Sequence, residues 1–219
     1  MSAEGALRHR DGAGFELIET LRFEPEAGFV RLPRHLDRLA RSAAALGFRF
    51  DRAAAEAALA AAVQPDRPQR VRLTLASAGD LACTASPFTP TPPGAVWRLA
   101  VAGERLASTD PLVAHKTTRR GLYERARAAV PADQAEEVLI LNERGEVCEG
   151  TFTNVFLAPP GSAGLLTPAA ACGLLPGVLR AELLAQRAAV EAVLRPEDLG
   201  KGALFVGNSL RGLVAACLA

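Results

Sequence analysis

Apolar runs of strand length alternate in this chain with stretches of helical period, and that alternation constrains the fold most. Phe15 to Phe23 (FELIETLRF) reads as a strand, with Gly28 to Leu32 as its hairpin partner across a turn at Pro25 to Ala27. Leu36, Leu39, Ala43 and Leu46 recur at helical spacing, so residues 33–47 form an amphipathic helix ending at Gly47. Asp51 caps a second, alanine-rich helix that runs to about Val63 and is stopped by Pro65 and Pro68. Strands are expected at Val71 to Ala76, Leu81 to Ala85 and Val96 to Ala102, with the proline-rich stretch 87–93 between the second and third. Downstream come a helix over Gly121 to Val130, a strand at Val138 to Leu141 and a hairpin turn at Asn142 to Gly145. A strand at Asn154 to Leu157, a helix from Pro176-Gly177 to about Gln186 and a late strand at Leu204 to Val206 complete the pattern. Residues 1–13 are polar and glycine-rich, and are expected to be poorly ordered. The reading is α+β or α/β in two domains: 1–103, a linker at 104–113 rich in Ser, Asp and Pro, and 114–219.

Composition removes several function classes. An apolar fraction of 49% supports a proper core, and a formal net charge of +1 gives no reason to expect nucleic acid or an anionic membrane as partner. The arginines are scattered, and one tryptophan with one tyrosine makes no base-stacking platform. Cys83, Cys148, Cys172 and Cys217 form no CxxC pair, so neither zinc nor a disulfide framework is expected. His9, His35 and His115 have no metal-ligand spacing. The first residues hold no apolar signal core, and no apolar run approaches the roughly 18 residues of a membrane span. A soluble, cytoplasmic protein is expected.

Lys116 is one of only two lysines among 25 basic residues; the other is Lys201. Arginine stays charged in proteins and cannot supply a neutral amine that attacks a carbonyl. Lys116 is therefore either a surface cation left by an arginine-rich coding habit or a Schiff-base residue. Three other features complement the second reading. Glu149 lies between two apolar strands, just before Gly150. Arg38 lies on the first helix. The helix beginning at Pro176-Gly177-Val178-Leu179 presents unpaired N–H groups and a dipole that favours an anion. Taken singly, each also fits a solvated face or an ordinary helix start. Together they are what a pyridoxal phosphate site needs: an amine, a carboxylate for the pyridinium nitrogen, and a cation with helix amides for the phosphate. There is no GxGxxG, Walker or GxSxG motif.

From about Phe15 to Leu213 the sequence resembles the class IV aminotransferases, enzymes of fold type IV that include branched-chain and D-amino-acid aminotransferases and 4-amino-4-deoxychorismate lyase. His35 to Leu39 match the family's H-x-x-R-L, Glu149 to Asn154 its E-G-x-x-x-N, and Gly177 to Arg180 its G-[IV]-x-R. The resemblance implies the two-domain, D-amino-acid aminotransferase-like fold and the cofactor pyridoxal 5'-phosphate, held in an interdomain cleft. It places the Schiff base on Lys116 and the phosphate on Arg38 and on the amides at Val178 and Leu179. Glu149 would meet the ring nitrogen. Asn154 and Ser209 would also serve the cofactor, and Asn208 and Leu210 the substrate. Arg72, on the strand VRLTL, would meet a substrate carboxylate.

The stretches HKTTRRGLYERAR, LNERGEVCEGTFTNVF, CGLLPGVLRAELL and FVGNSLRGL are most similar to the lyase group, including the lyase domains fused to aminodeoxychorismate synthase component I. That implies a homodimeric lyase acting on a small amine substrate, alone or beside the synthase, and making 4-aminobenzoate for folate biosynthesis. The alternatives are an aminotransferase using a 2-oxo acid acceptor and a cofactor-free binding domain. Two departures stand out. The Asp-Arg and Gly-Asp-Gly loop of the longer members is missing, and Tyr123 follows the lysine by seven residues, not at the branched-chain enzymes' spacing.

Overall fold

The computed structural model describes residues 14–219, so the expectation for residues 1–13 lies outside the described residues. The chain forms two compact units. One comprises residues up to Thr89 together with His115–Arg119; the other comprises Pro90–Ala114 and Arg120–Ala219.

The first unit is built on an antiparallel sheet in the order β2-β1-β3-β4. Its strands are β1 (Leu17–Glu24), β2 (Gly28–Phe29), β3 (Gln69–Leu75) and β4 (Leu81–Pro87). Strand alternation decides its core. Leu17, Leu21 and Phe23 are buried and pair with Leu75, Val71 and Gln69. Helix α1 (Leu32–Leu46) packs on β1 and buries Leu36, Leu39, Ala43 and Leu46. It ends where Gly47 adopts the left-handed conformation, with φ 70°, and returns its N–H to Ala43 O. The expected strand 28–32 shrinks to two residues. Arg31, at φ 59°, turns the chain, and Pro33 in the first helical turn is tolerated because no N–H is needed there. Helix α2 (Arg52–Ala62) starts as expected, with the Asp51 side chain accepting from Ala54 N at 3.2 Å.

The second unit carries an eight-stranded mixed sheet in the order β10-β9-β8-β11-β12-β5-β6-β7. Its strands are β5 (Val96–Leu106), β6 (Glu137–Asn142), β7 (Val147–Gly150), β8 (Asn154–Ala158), β9 (Leu165–Pro168), β10 (Ala189–Ala192), β11 (Ala203–Asn208) and β12 (Gly212–Leu218). β5 and β6 are parallel, so a crossover must join them, and it contains helix α3 (Gly121–Ala128). α3 lies against β5 and β6, burying Ala126 among Ala102, Leu106, Val138 and Ile140. A tight turn with Gly145 at φ 74° joins β6 to β7. Helix α4 (Val178–Ala185) follows Gly177.

The linker expected at 104–113 is not where the units divide. β5 runs on to Leu106, Leu106 is buried in the core of the second unit, and residues 111–114 form a 3-10 turn of that unit. The division falls at Thr89/Pro90, inside the proline-rich stretch. The segment 115–119 also departs from the expected 114–219 domain, because it is hydrogen-bonded to β1. Ile18 N donates to Lys116 O at 2.9 Å, Thr118 N to Glu16 O at 2.9 Å, and Glu16 N to Thr118 Oγ1 at 3.0 Å.

Candidate active site

In the first unit Arg38 and His35 gather around Glu19. The parity of β1 puts this carboxylate on the core side, in line with Leu17 and Leu21, where it is 1% exposed. A buried carboxylate must find donors, and α1 supplies them from one face. Arg38 grips it twice, Nε to Oε1 at 2.8 Å and Nη2 to Oε2 at 2.6 Å, and His35 Nδ1 lies 2.6 Å from Oε2. Burial alone would raise Glu19's pKa. The Arg38 guanidinium and the hydrogen bonds from His35 and Arg38 outweigh it and hold the carboxyl at about 2. Burial lowers the His35 pKa. The Glu19 carboxylate opposes that shift, while the charges of Arg38 and Lys116 reinforce it. His35 is thus neutral at pH 7. Since an ionised carboxylate only accepts, the His35 proton sits on Nδ1. Glu19, a residue that sequence reasoning missed, therefore fixes the orientation of the Arg38 guanidinium. The available signal was parity: a glutamate in the buried register of an alternating strand.

Lys116 is half-buried. Thr117 bridges Leu17 antiparallel, which sets Lys116 opposite Ile18. His115 Nδ1 meets Ser42 Oγ at 2.9 Å and ties the neighbouring residue to α1. Arg72 lies opposite Thr20 on β1 and Thr84 on β4. Alternation puts Ile18, Thr20 and Arg72 on one face of the sheet and Glu19 on the other. Register thus brings Arg72 and Lys116 to the same face, and separates Arg72 from the Glu19–Arg38 pair.

In the second unit Glu149, on β7, is 4% exposed and stands opposite Ile140 of β6. Tyr123 from α3 donates to its Oε1 at 2.7 Å, and Leu175 N donates to the same oxygen at 3.2 Å. The loop after Glu149 is fixed from below by Glu137, a fully buried carboxylate at the start of β6. Glu137 accepts from Thr151 N at 3.0 Å, from the Thr151 hydroxyl, from Phe152 N at 3.2 Å and from Thr153 Oγ1 at 2.8 Å. Arg120 adds a bond to Thr151 O, and its guanidinium carbon lies 4.9 Å from the centre of the Tyr123 ring. Glu137 and Tyr123 were both missed in the sequence.

The far end of that loop meets α4. Asn154 Nδ2 donates to Leu175 O at 3.0 Å. A Cβ on Gly177 would stand 1.9 Å from Asn154 Oδ1, so only glycine admits this approach. Val178 and Leu179 open the helix and are buried. Arg180 anchors the helix start from behind: it donates to Pro168 O at 2.7 Å and pairs with Glu191. Gly207 lets the chain run beside Leu179, with a hypothetical Cβ only 3.0 Å from Leu179 Cδ2. The buried residues Ser209 and Leu210 follow in this loop. Asn208 shapes it: its Oδ1 accepts from Leu210 N at 3.1 Å and Arg211 N at 3.0 Å, and its Nδ2 donates to Phe152 O at 3.1 Å. Within this unit Glu149, Asn154, Val178, Leu179, Asn208, Ser209 and Leu210 thus lie on strand ends, a helix start and a loop linked by these contacts. Among the described residues no cluster of His, Cys, Asp and Glu could hold a metal, the four cysteines form no disulfide, and no helix is long and apolar enough to cross a membrane.

These features can be set beside known proteins. A Schizosaccharomyces pombe protein provisionally named an aminodeoxychorismate lyase is 32% identical over 204 residues, covering 89% of this chain and 86% of its own. A Mesorhizobium loti structure provisionally named an amino-acid aminotransferase is 51% identical, with a TM-score of 0.90 over 94% of this chain and all of that one. The structure of 4-amino-4-deoxychorismate lyase from Pseudomonas aeruginosa is 24% identical, with a TM-score of 0.77 over 100% of this chain and 87% of that one, a likeness of fold. The expected fold type IV is the fold observed. The model of the family described as amino-transferase class IV matches residues 16–218, and the chain belongs to that family.

Proposed function

We propose that this chain is a pyridoxal phosphate-dependent 4-amino-4-deoxychorismate lyase that forms 4-aminobenzoate and pyruvate. The observation that carries the choice of reaction is the 32% identity to the S. pombe protein along nearly the whole of both chains. The cofactor is that of the family, and residues of this structure fit it. Glu149 is a buried carboxylate held in place by two donors, suited to a ring nitrogen. The close approach of Asn154 to Gly177 fixes a helix start whose first amides suit a phosphate.

In this reading the Lys116 amine would hold the cofactor as a Schiff base. Glu149 would keep the ring nitrogen protonated. Arg38, Ser209 and the amides of Val178 and Leu179 would hold the phosphate, with Asn154 fixing the helix start. Once bound, the cofactor supplies an electron sink for the carbon that carries the substrate nitrogen. Lys116, its amine freed by the substrate's, would take the proton from that carbon. The bond from the neighbouring ring carbon to the enolpyruvyl oxygen would then break. Lys116 would return the proton to the enolpyruvyl methylene to complete pyruvate, and the ring would become aromatic. Arg72, on the same sheet face as Lys116, would receive a substrate carboxylate.

A second reading is favoured by the 51% identity to the M. loti protein: an aminotransferase acting on branched-chain or D-amino acids with a 2-oxo acid. Both use the same proton abstraction by Lys116. Purified protein given aminodeoxychorismate is expected to release 4-aminobenzoate and pyruvate in equal amounts. No 4-aminobenzoate, with glutamate formed from branched-chain amino acids and 2-oxoglutarate, would replace the first reading by the second. We further propose that the protein works in the cytoplasm as a homodimer, to be checked by its mass in solution, and tests for an aminodeoxychorismate synthase partner belong in the same assay.

A further inference from the structure

We infer that Tyr123 is a positioning residue for Glu149: its phenol fixes the carboxylate by one oxygen and sets how strongly it holds a proton shared with the cofactor's ring nitrogen. The inference rests on the proposed pairing of Glu149 with that nitrogen. Four observations carry it. The phenol donates to Glu149 Oε1 at 2.7 Å, a charge-assisted bond. A second donor, Leu175 N, meets the same oxygen at 3.2 Å, so the carboxylate's rotation is set by two bonds from different directions. The Tyr123 ring is itself held, packed among the side chains between α3 and β6 and lying under the Arg120 guanidinium. Arg120 in turn is tied to Thr151 O, in the loop that Glu137 fixes. Burial and the neighbouring Glu149 charge push the phenol's ionisation far up, so it stays a donor at any working pH.

A donor to an ionised carboxylate lowers its affinity for a proton. Removing the phenol makes Glu149 more basic and draws the shared proton away from the ring. Strengthening the donor does the reverse. Tyr123 is the only tyrosine in the chain, so growth on 3-fluorotyrosine, a more acidic phenol, alters this position alone.

The experiment compares cofactor-loaded wild type, Tyr123→Phe, the fluorotyrosine protein and Glu149→Gln. It reads the pH midpoint of the cofactor's visible absorbance, a signal independent of which reaction the protein performs. It also reads kcat and KM. Tyr123→Phe is expected to load one cofactor per chain and to move the midpoint up. Its kcat should fall about 10- to 100-fold with little change in KM. The fluorotyrosine protein is expected to move the midpoint down. Midpoints of both proteins coinciding with wild type, beside a shifted Glu149→Gln, would overturn this inference alone. An unshifted Glu149→Gln would overturn the ring-nitrogen pairing and this inference with it. Should the Phe variant not fold, the fluorotyrosine arm decides, since it changes a single ring hydrogen.

Discussion

Glu19 shows how one side chain links stability to the candidate site. Its folded pKa of about 2 lies below the ordinary 4.5. The carboxylate's contribution is therefore complete above about pH 4.5 and is lost as pH falls toward 2. A shift of that size corresponds to about 3 kcal/mol. Glu19→Gln also takes a carboxylate from the buried Arg38. Urea unfolding should show the variant about 3 kcal/mol less stable than wild type at pH 7, with the gap closing toward pH 2; a gap that persists at low pH contradicts the linkage. Glu149 makes a different prediction, about chemistry. Glu149→Ala is expected to retain the Schiff base, trapped on Lys116 by borohydride, while turnover falls about 100-fold or more. Near-normal turnover would remove Glu149 from its role.

Elements decide how well those residues are presented. The start of α4 depends on Gly177, and for a steric reason. Its φ of −63° suits any residue, but a Cβ would meet Asn154 Oδ1 at 1.9 Å. Gly177→Ala should shift the turn and weaken cofactor binding by about 10-fold, and Asn154→Ala in the same chain should restore part of it. Fluorescence titration with pyridoxal phosphate measures both; equal affinity in Gly177→Ala would show that the turn yields freely. Capping at α2 is the simpler case. Asp51→Ala removes the acceptor for Ala54 N and should cost about 1 kcal/mol in thermal or urea unfolding. Such elements were legible because their signals are local: Asp51 at a start, Gly47 at an end, apolar spacing between them. Strands β7, β9 and β10 were not. Each has four residues, too few for an alternation to register, and each is defined by its ladder with neighbouring strands: β7 with β6, β9 with β8 and β10, β10 with β9. Lys116, Arg38 and Glu149 could be named from residue type and motif. Glu137 and Tyr123 could not, because their importance lies in partners 14 and 26 residues away.

At the scale of the whole molecule the least legible feature is the route of the chain. After β5 the backbone leaves the second unit for five residues, 115–119, runs beside β1, and returns at Arg120 to begin α3. No composition shift marks the excursion, because its signals are backbone hydrogen bonds to residues about a hundred positions earlier. Yet that path fixes Lys116 opposite Ile18 by main-chain bonds, so the amine's base is held by secondary structure and not by a free loop. A fixed base has a thermodynamic consequence. A ligand that engages the folded state alone stabilises it by about 2.7 kcal/mol at a hundred times its dissociation constant. For a chain of this size that is a rise of roughly 5–10 °C in the unfolding temperature. Pyridoxal phosphate is therefore expected to raise the Tm of the apoprotein by that amount in a calorimetric scan. Lys116→Ala, which keeps Arg38, Glu149 and the helix start but cannot form the covalent bond, should retain only part of the rise. An equal rise in both proteins would show that Lys116 contributes nothing to holding the cofactor; no rise in either would remove the cofactor from this protein's function.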